Sequence, residues 1–229
     1  MHGVEEPIDT EKALPVLPAR LVAVIVSPGA LMAKLVEQPK WVGALIVVAL
    51  VVGVSMLLIP VDLFMEMNRQ QALERGVEIP EMSQTAIRVM RIVIPSMATV
   101  STVVFSFVFA GFYTLIFTFI LGDEGRYAQY LAVVVHAWFI AVLLGLLVTP
   151  LRIMTGDPQF TLNLASFMFF IPDGYFLNVF KALDLSQIWS TLVIAQGVHA
   201  IDRRRSFASA ATILLAILGC IALAVARFI

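Results

Sequence analysis

Residues 127–151 read YAQYLAVVVHAWFIAVLLGLLVTPL, without an Asp, Glu, Lys or Arg among them. The hydrocarbon core of a bilayer is roughly 30 Å thick and a helix rises about 1.5 Å per residue, so about 20 such residues make a membrane crossing. The stretch is long enough and apolar enough to cross. Lipid, not water, is therefore the solvent to which the rest of the chain has to be fitted.

The turn before it, Gly122-Asp123-Glu124-Gly125, is polar and short, so the preceding apolar run, residues 92–121, must return beside it as an antiparallel hairpin. A further run, residues 41–60, opens at Lys40-Trp41, where an aromatic ring and a basic group suit the head-group region, and closes at Pro60 and Asp62. Residues 206–227 follow a second polar turn, Asp202-Arg203-Arg204-Arg205, and residues 185–201 lead into that turn as an uncharged but short run. The expectation is an all-α integral membrane bundle of five transmembrane helices within residues 41–229, preceded by an N-terminal cytoplasmic or interfacial segment, residues 1–40.

Composition agrees. The chain of 229 residues is 60% hydrophobic and 14% charged, with mean hydropathy +0.96. A soluble domain keeps roughly a quarter of its residues charged. Net charge is −1, and the basic residues form no arm interleaved with aromatics, so nucleic acid is not an expected partner. The single Cys220 has no partner for an internal disulfide, and no Cys/His spacing fits a metal. The acidic start, Met1-His-Gly-Val-Glu-Glu-Pro7, lacks the positive charge of a secretory signal and is read as mature protein.

Three apolar segments are too short or too broken to cross. Residues 21–33 are interrupted by Ser27-Pro28-Gly29 and suit an interfacial or docking segment. Residues 81–91 carry Met82, Ala86, Val89 and Met90 on one helical face and suit an amphipathic helix on the membrane surface, leading into the second span. Residues 159–181 flank the turn Ile171-Pro172-Asp173-Gly174 and suit an interfacial or re-entrant helical hairpin before span four. Asp184 is placed to cap the helix after it.

Orientation is read from basic residues. With the N-terminus inside, Lys12, Arg20, Lys34, Lys40, Arg126 and Arg203 to Arg205 are cytoplasmic. Arg69, Arg75, Arg88, Arg91, Arg152, Lys181 and Arg227 then lie on the other side. The totals nearly balance, and the dense cluster in the shortest loop decides for a cytoplasmic N-terminus.

Few groups offer chemistry. In the last span Ala208, Thr212, Ala216, Cys220 and Ala224 recur every fourth residue as one small-residue ridge. Such ridges let helices approach closely in lipid. Packing inside the monomer is the first expectation, and a docking face for a partner span or second copy is the functional one. His136 and His199 are the titratable groups of the spans besides Tyr and Cys; a hydrogen bond between helices explains each better than a metal or proton-relay site. Ser101, Thr102, Ser106 and Thr114 are expected to bond backbone carbonyls, although Ser101 or Ser106 facing His136 would suit an intramembrane nucleophile. Arg203, Arg204 and Arg205 suit contact with anionic lipid head groups or an anchor for topology. No cofactor is implied.

The pattern resembles the YIP (Ypt-interacting protein) domain family of polytopic membrane proteins in its bacterial form. Carrying this are Ser27-Pro28 with Glu37-Gln38-Pro39 before span one, and a long second span ending at Leu121-Gly122 with a tight turn after it. So do Ala182-Leu-Asp-Leu-Ser-Gln-Ile-Trp189 leading into a span with Gly197, and a basic turn before a small-residue last span. The similarity covers roughly residues 22–228. It implies a five-span helical bundle with a cytoplasmic N-terminus and, in eukaryotic relatives, binding to Rab-type GTPases. The Asp-Leu-Tyr-Gly-Pro signature of those relatives is absent, so that role is not carried over, and the family supplies no catalytic residues. The expected function is a non-enzymatic membrane scaffold or accessory subunit, with a small transporter or channel as the alternative. The expected site is a bacterial inner (plasma) membrane, and the expected partners are lipid, other membrane proteins or a second copy.

Overall fold

The computed structural model describes residues 13–78 and 82–228. The acidic start of the chain and Glu81 lie outside the described residues.

Prolines punctuate the first half. Helix α1, Leu17–Val26, stops at Ser27, and α2, Pro28–Glu37, begins on the proline that stopped it. The ring blocks the helical conformation of the residue before it yet suits a first turn. This is the break expected at Ser27-Pro28-Gly29. Helix α3, Val42–Leu58, ends at Ile59-Pro60, and α4, Val61–Glu74, leaves at an angle of 76°.

Helix α5, Gln84–Thr114, opens on Ser83, whose Oγ accepts from the Ala86 N–H at 3.2 Å, and runs on through a π-helical turn, Leu115–Ile120. Here the sequence reading needs correction. Residues 84–91 are not a separate helix on the membrane surface but the first turns of the span itself. No breaker stands between Arg88 and Ile94, and extending an existing helix costs far less than nucleating another. Pro95 is absorbed within it.

Helix α6, Tyr127–Thr155, ends on Gly156, whose φ of 71° is the left-handed cap that favours glycine. Residues 159–181 hold a short 3₁₀ turn, Leu164–Phe167, and a seven-residue helix α7, Tyr175–Lys181. A single antiparallel bridge between Asn163 and Asp184 closes the loop around them. Asp184 caps α8, Leu185–Ile201, as expected, its Oδ1 accepting from the Ser186 N–H at 2.7 Å. Helix α9, Phe207–Val225, opens on Ser206.

Helices α3, α5 and α6 pack as a triangle; α8 lies against α6, α9 against α8, and α2 against α8. Helix α6 is the centre, for every residue from Tyr130 to Ala137 is buried. A helix apolar on all sides is one surrounded by others. Its contact with α8 requires Gly197, since a Cβ there would lie 2.3 Å from Val133 Cγ1. Segment α2 docks through Leu31, Met32, Leu35 and Val36, all buried.

Among the described residues three helices are long and apolar enough to cross a membrane, Gln84–Ile120, Tyr127–Thr155 and Phe207–Val225, or four if the bent pair α3 and α4 is one span. Helix α8 falls short in length, at 17 residues, and it also carries Ser186, Gln187, Ser190, Thr191, Gln196 and His199. The outer face is apolar, with Leu50, Val100, Val104 and Leu223 exposed.

Candidate functional site

The most developed polar structure joins two turns far apart in sequence. Arg205, on the α8–α9 turn, donates through Nη2 to Asp123 Oδ1 at 2.6 Å and through Nε to Asp123 Oδ2. Asp123 sits on the α5–α6 turn, where its own N–H donates to the Phe117 carbonyl at 2.8 Å and closes the π-helical turn. The Arg205 guanidinium also lies over the Phe117 ring, 5.6 Å from its centroid. Asp202 joins the same turns, its Oδ2 accepting from the Glu124 N–H at 2.9 Å and from Arg204 Nη2 at 2.7 Å. Hydrogen bonds from the Arg204 side chain and then the Glu124 N–H hold the Asp202 carboxyl well below the usual carboxylate range. The Asp123 carboxylate raises the pKa of Arg205.

This alters the reading of the basic cluster. Arg205 is committed to Asp123, with a side chain only 14% exposed, so it is not a free group for lipid. Arg204 is 65% exposed and pairs with Asp202 and Glu124, and Arg203 is exposed. Asp123 and Asp202 carry no weight in the sequence reading beyond their turns. The Arg205 and Glu124 N–H partners that join the two turns lie too far along the chain for local patterns to reveal.

The two histidines are engaged separately. His199 Nδ1 donates to the Arg205 carbonyl at 2.7 Å, extending the same cluster. His136 is fully buried in α6, its Nδ1 donates to the Ala132 carbonyl at 2.8 Å, and its Nε2 has no partner among the described residues. Neither Ser101 nor Ser106 therefore bonds His136. Ser106, Thr102 and Thr114 bond the carbonyls four residues before them, as expected. Among the described residues no three of His, Cys, Asp and Glu gather as a metal site requires.

Sequence reasoning also missed Arg20, treated there as a flanking charge. The structure buries it on α1, with Nη1 donating to the Lys40 carbonyl at 2.8 Å and Nε unpartnered among the described residues.

The ridge on α9 is the main surprise. Ala208, Thr212, Ala216, Cys220 and Ala224 are all exposed, while Ala210, Ala211, Leu214 and Ala222 are buried. Packing within the monomer, the first expectation, is thus corrected, because α9 uses a different set of small residues to meet α8. The ridge faces outward.

The family pattern described as Yip1 domain matches residues 22–226, nearly the whole described chain. No curated protein and no solved structure matches. The chain belongs to the Yip1 domain family, as the motifs before span one and around Trp189 imply.

Proposed function

We propose that this Yip1 domain membrane protein is a non-enzymatic scaffold or accessory subunit that works through helix–helix contacts inside the bilayer. One observation carries the reading: all five small residues of the α9 ridge are exposed on a helix apolar enough to span. Without a water-driven force between helices in lipid, association rests on close packing, and small side chains permit it. A partner span or a second copy of this chain is the expected occupant.

The arrangement that fits is five alternating spans, α3, α5, α6, α8 and α9, with the N-terminus cytoplasmic in a bacterial plasma membrane. The Asp123–Arg205 pair supports the alternation, since it holds the α5–α6 and α8–α9 turns at one end. Helix α8, at about 1.5 Å per residue, is slightly shorter than the roughly 30 Å core. Residues 157–184 complement it from the opposite interface, where Phe169, Phe170 and Phe176 are 93%, 69% and 72% exposed, as an aromatic belt would be. The transporter reading has less support, because His136 is fully buried and the charged residues of the spanning helices, Arg88, Arg91 and Arg152, stand near helix ends.

Crosslinking from a photoreactive residue at Ala216 in native membranes tests the proposal. Adducts with another membrane protein or a second copy are expected. Adducts with lipid alone, together with a strictly monomeric protein in mild detergent, would overturn it.

A further inference from the structure

Helix α1 turns Arg20 and Val24 inward, where it packs on α6, and leaves Val22 and Val26 on its outer side. Residues four apart share a helix face, so the charge enters the bundle beside a valine of its core. An arginine withdrawn from water needs a partner for each N–H. Nη1 has the Lys40 carbonyl, but Nε is closed off from solvent with no hydrogen-bond partner among the described residues. Among those residues no carboxylate pairs with Arg20.

One other buried side-chain nitrogen or oxygen among the described residues is left in that condition, and it is His136 Nε2. The two are neighbours, for the Arg20 charge is felt at the His136 ring. Buried polar groups in folded proteins are nearly always bonded, so two orphans in one neighbourhood point to a group that serves both.

Their chemistry defines that group. A carbonyl only accepts, so the bond to Ala132 fixes the proton of the neutral imidazole on Nδ1 and leaves Nε2 an acceptor. Arg20 Nε is a donor and nothing else. An anion would answer Arg20 and leave Nε2 unmet. A metal cation would answer Nε2 and be repelled by Arg20. A neutral hydroxyl answers both, and water is the smallest.

We propose that Arg20 Nε and His136 Nε2 share one buried water molecule, which accepts from the arginine, donates to the histidine and so ties α1 to the centre of the bundle. Two polar partners meet the minimum for an ordered internal water. The proposal does not depend on the scaffold reading.

A crystal structure of the full chain at a resolution that shows ordered water tests it. One peak is expected within about 2.7–3.2 Å of both nitrogens, and none in His136→Phe. A direct bond between Arg20 and His136, the lack of a peak, or a peak that gains anomalous signal in bromide overturns the proposal. Thermal unfolding in detergent gives a second reading. Because one water serves both groups, His136→Phe should lower the melting temperature of the parent by more than that of Arg20→Met. Equal shifts in the two backgrounds overturn it. Should His136→Phe not fold, a His2→Gln, His199→Gln protein leaves His136 as the sole histidine for ¹⁵N labelling. Magnetisation transfer from water to its ring is then expected, and its absence overturns the proposal.

Discussion

Arg205 and Asp123, 82 positions apart, form a two-pronged ion pair that fastens the α8–α9 turn to the α5–α6 turn. Both groups are largely withdrawn from solvent, with side chains 14% and 8% exposed. Removing one partner of such a pair strands the other charge, at about 3–5 kcal/mol. Asp123→Ala should therefore lower the melting temperature in detergent sharply. Arg205→Lys, which keeps the charge but loses the fork, should fall between that variant and the parent.

Acid should loosen the same end. Asp202 is held below the usual carboxylate range by Arg204 and the Glu124 N–H. A depressed carboxyl adds stability above its unfolded value, about 3.9, and that contribution is lost as pH falls towards the folded value. Thermal stability should be flat near neutrality and decline below about pH 4, with a shallower decline in Asp202→Asn.

Gly197→Ala should destabilise the centre of the bundle. The added methyl falls 2.3 Å from Val133 Cγ1, and overpacking of this kind costs about 1–3 kcal/mol. Val133→Ala should recover part of that loss when combined with it. A double-mutant cycle measured by thermal unfolding checks the coupling.

Arg20 ties α1 to the start of α3 through the Lys40 carbonyl. Arg20→Met keeps the apolar stem and removes the bond, a charged-group hydrogen bond worth about 1.5–3 kcal/mol. Faster hydrogen exchange over Leu17–Val26 is expected, with α6 and α9 unchanged.

The two faces of α9 should respond differently. Ala216→Leu lies on the exposed ridge and should weaken association while leaving the monomer's melting temperature nearly unchanged. Ala210→Leu meets α8 and should destabilise the fold itself. Sedimentation in detergent read beside thermal unfolding separates the two.

Much of the architecture is written locally. Ser27-Pro28, Pro60, Gly156 and Asp184 mark their boundaries through backbone chemistry that needs no tertiary partner. The facing of α9 is not written that way. The ridge stands out by its four-residue period, yet the buried face is the mixed one of Ala210, Ala211, Leu214 and Ala222, and only the packing of the bundle selects between them. The surface helix expected in residues 81–91 failed for a related reason: its amphipathic pattern is equally that of a span emerging from lipid. The link between the turns was illegible because Asp123 and Asp202 each reach a group, Arg205 and the Glu124 N–H, about 80 positions away.

Helix α9 is pinned unequally. At its start Arg205 supplies charge-assisted bonds, while near its end Tyr175 Oη donates to the Leu223 carbonyl at 2.8 Å as a neutral bond, of a kind roughly half as strong. Opening of this helix is therefore expected to begin at the end that Tyr175 holds, with hydrogen exchange faster near Leu223 than near Phe207.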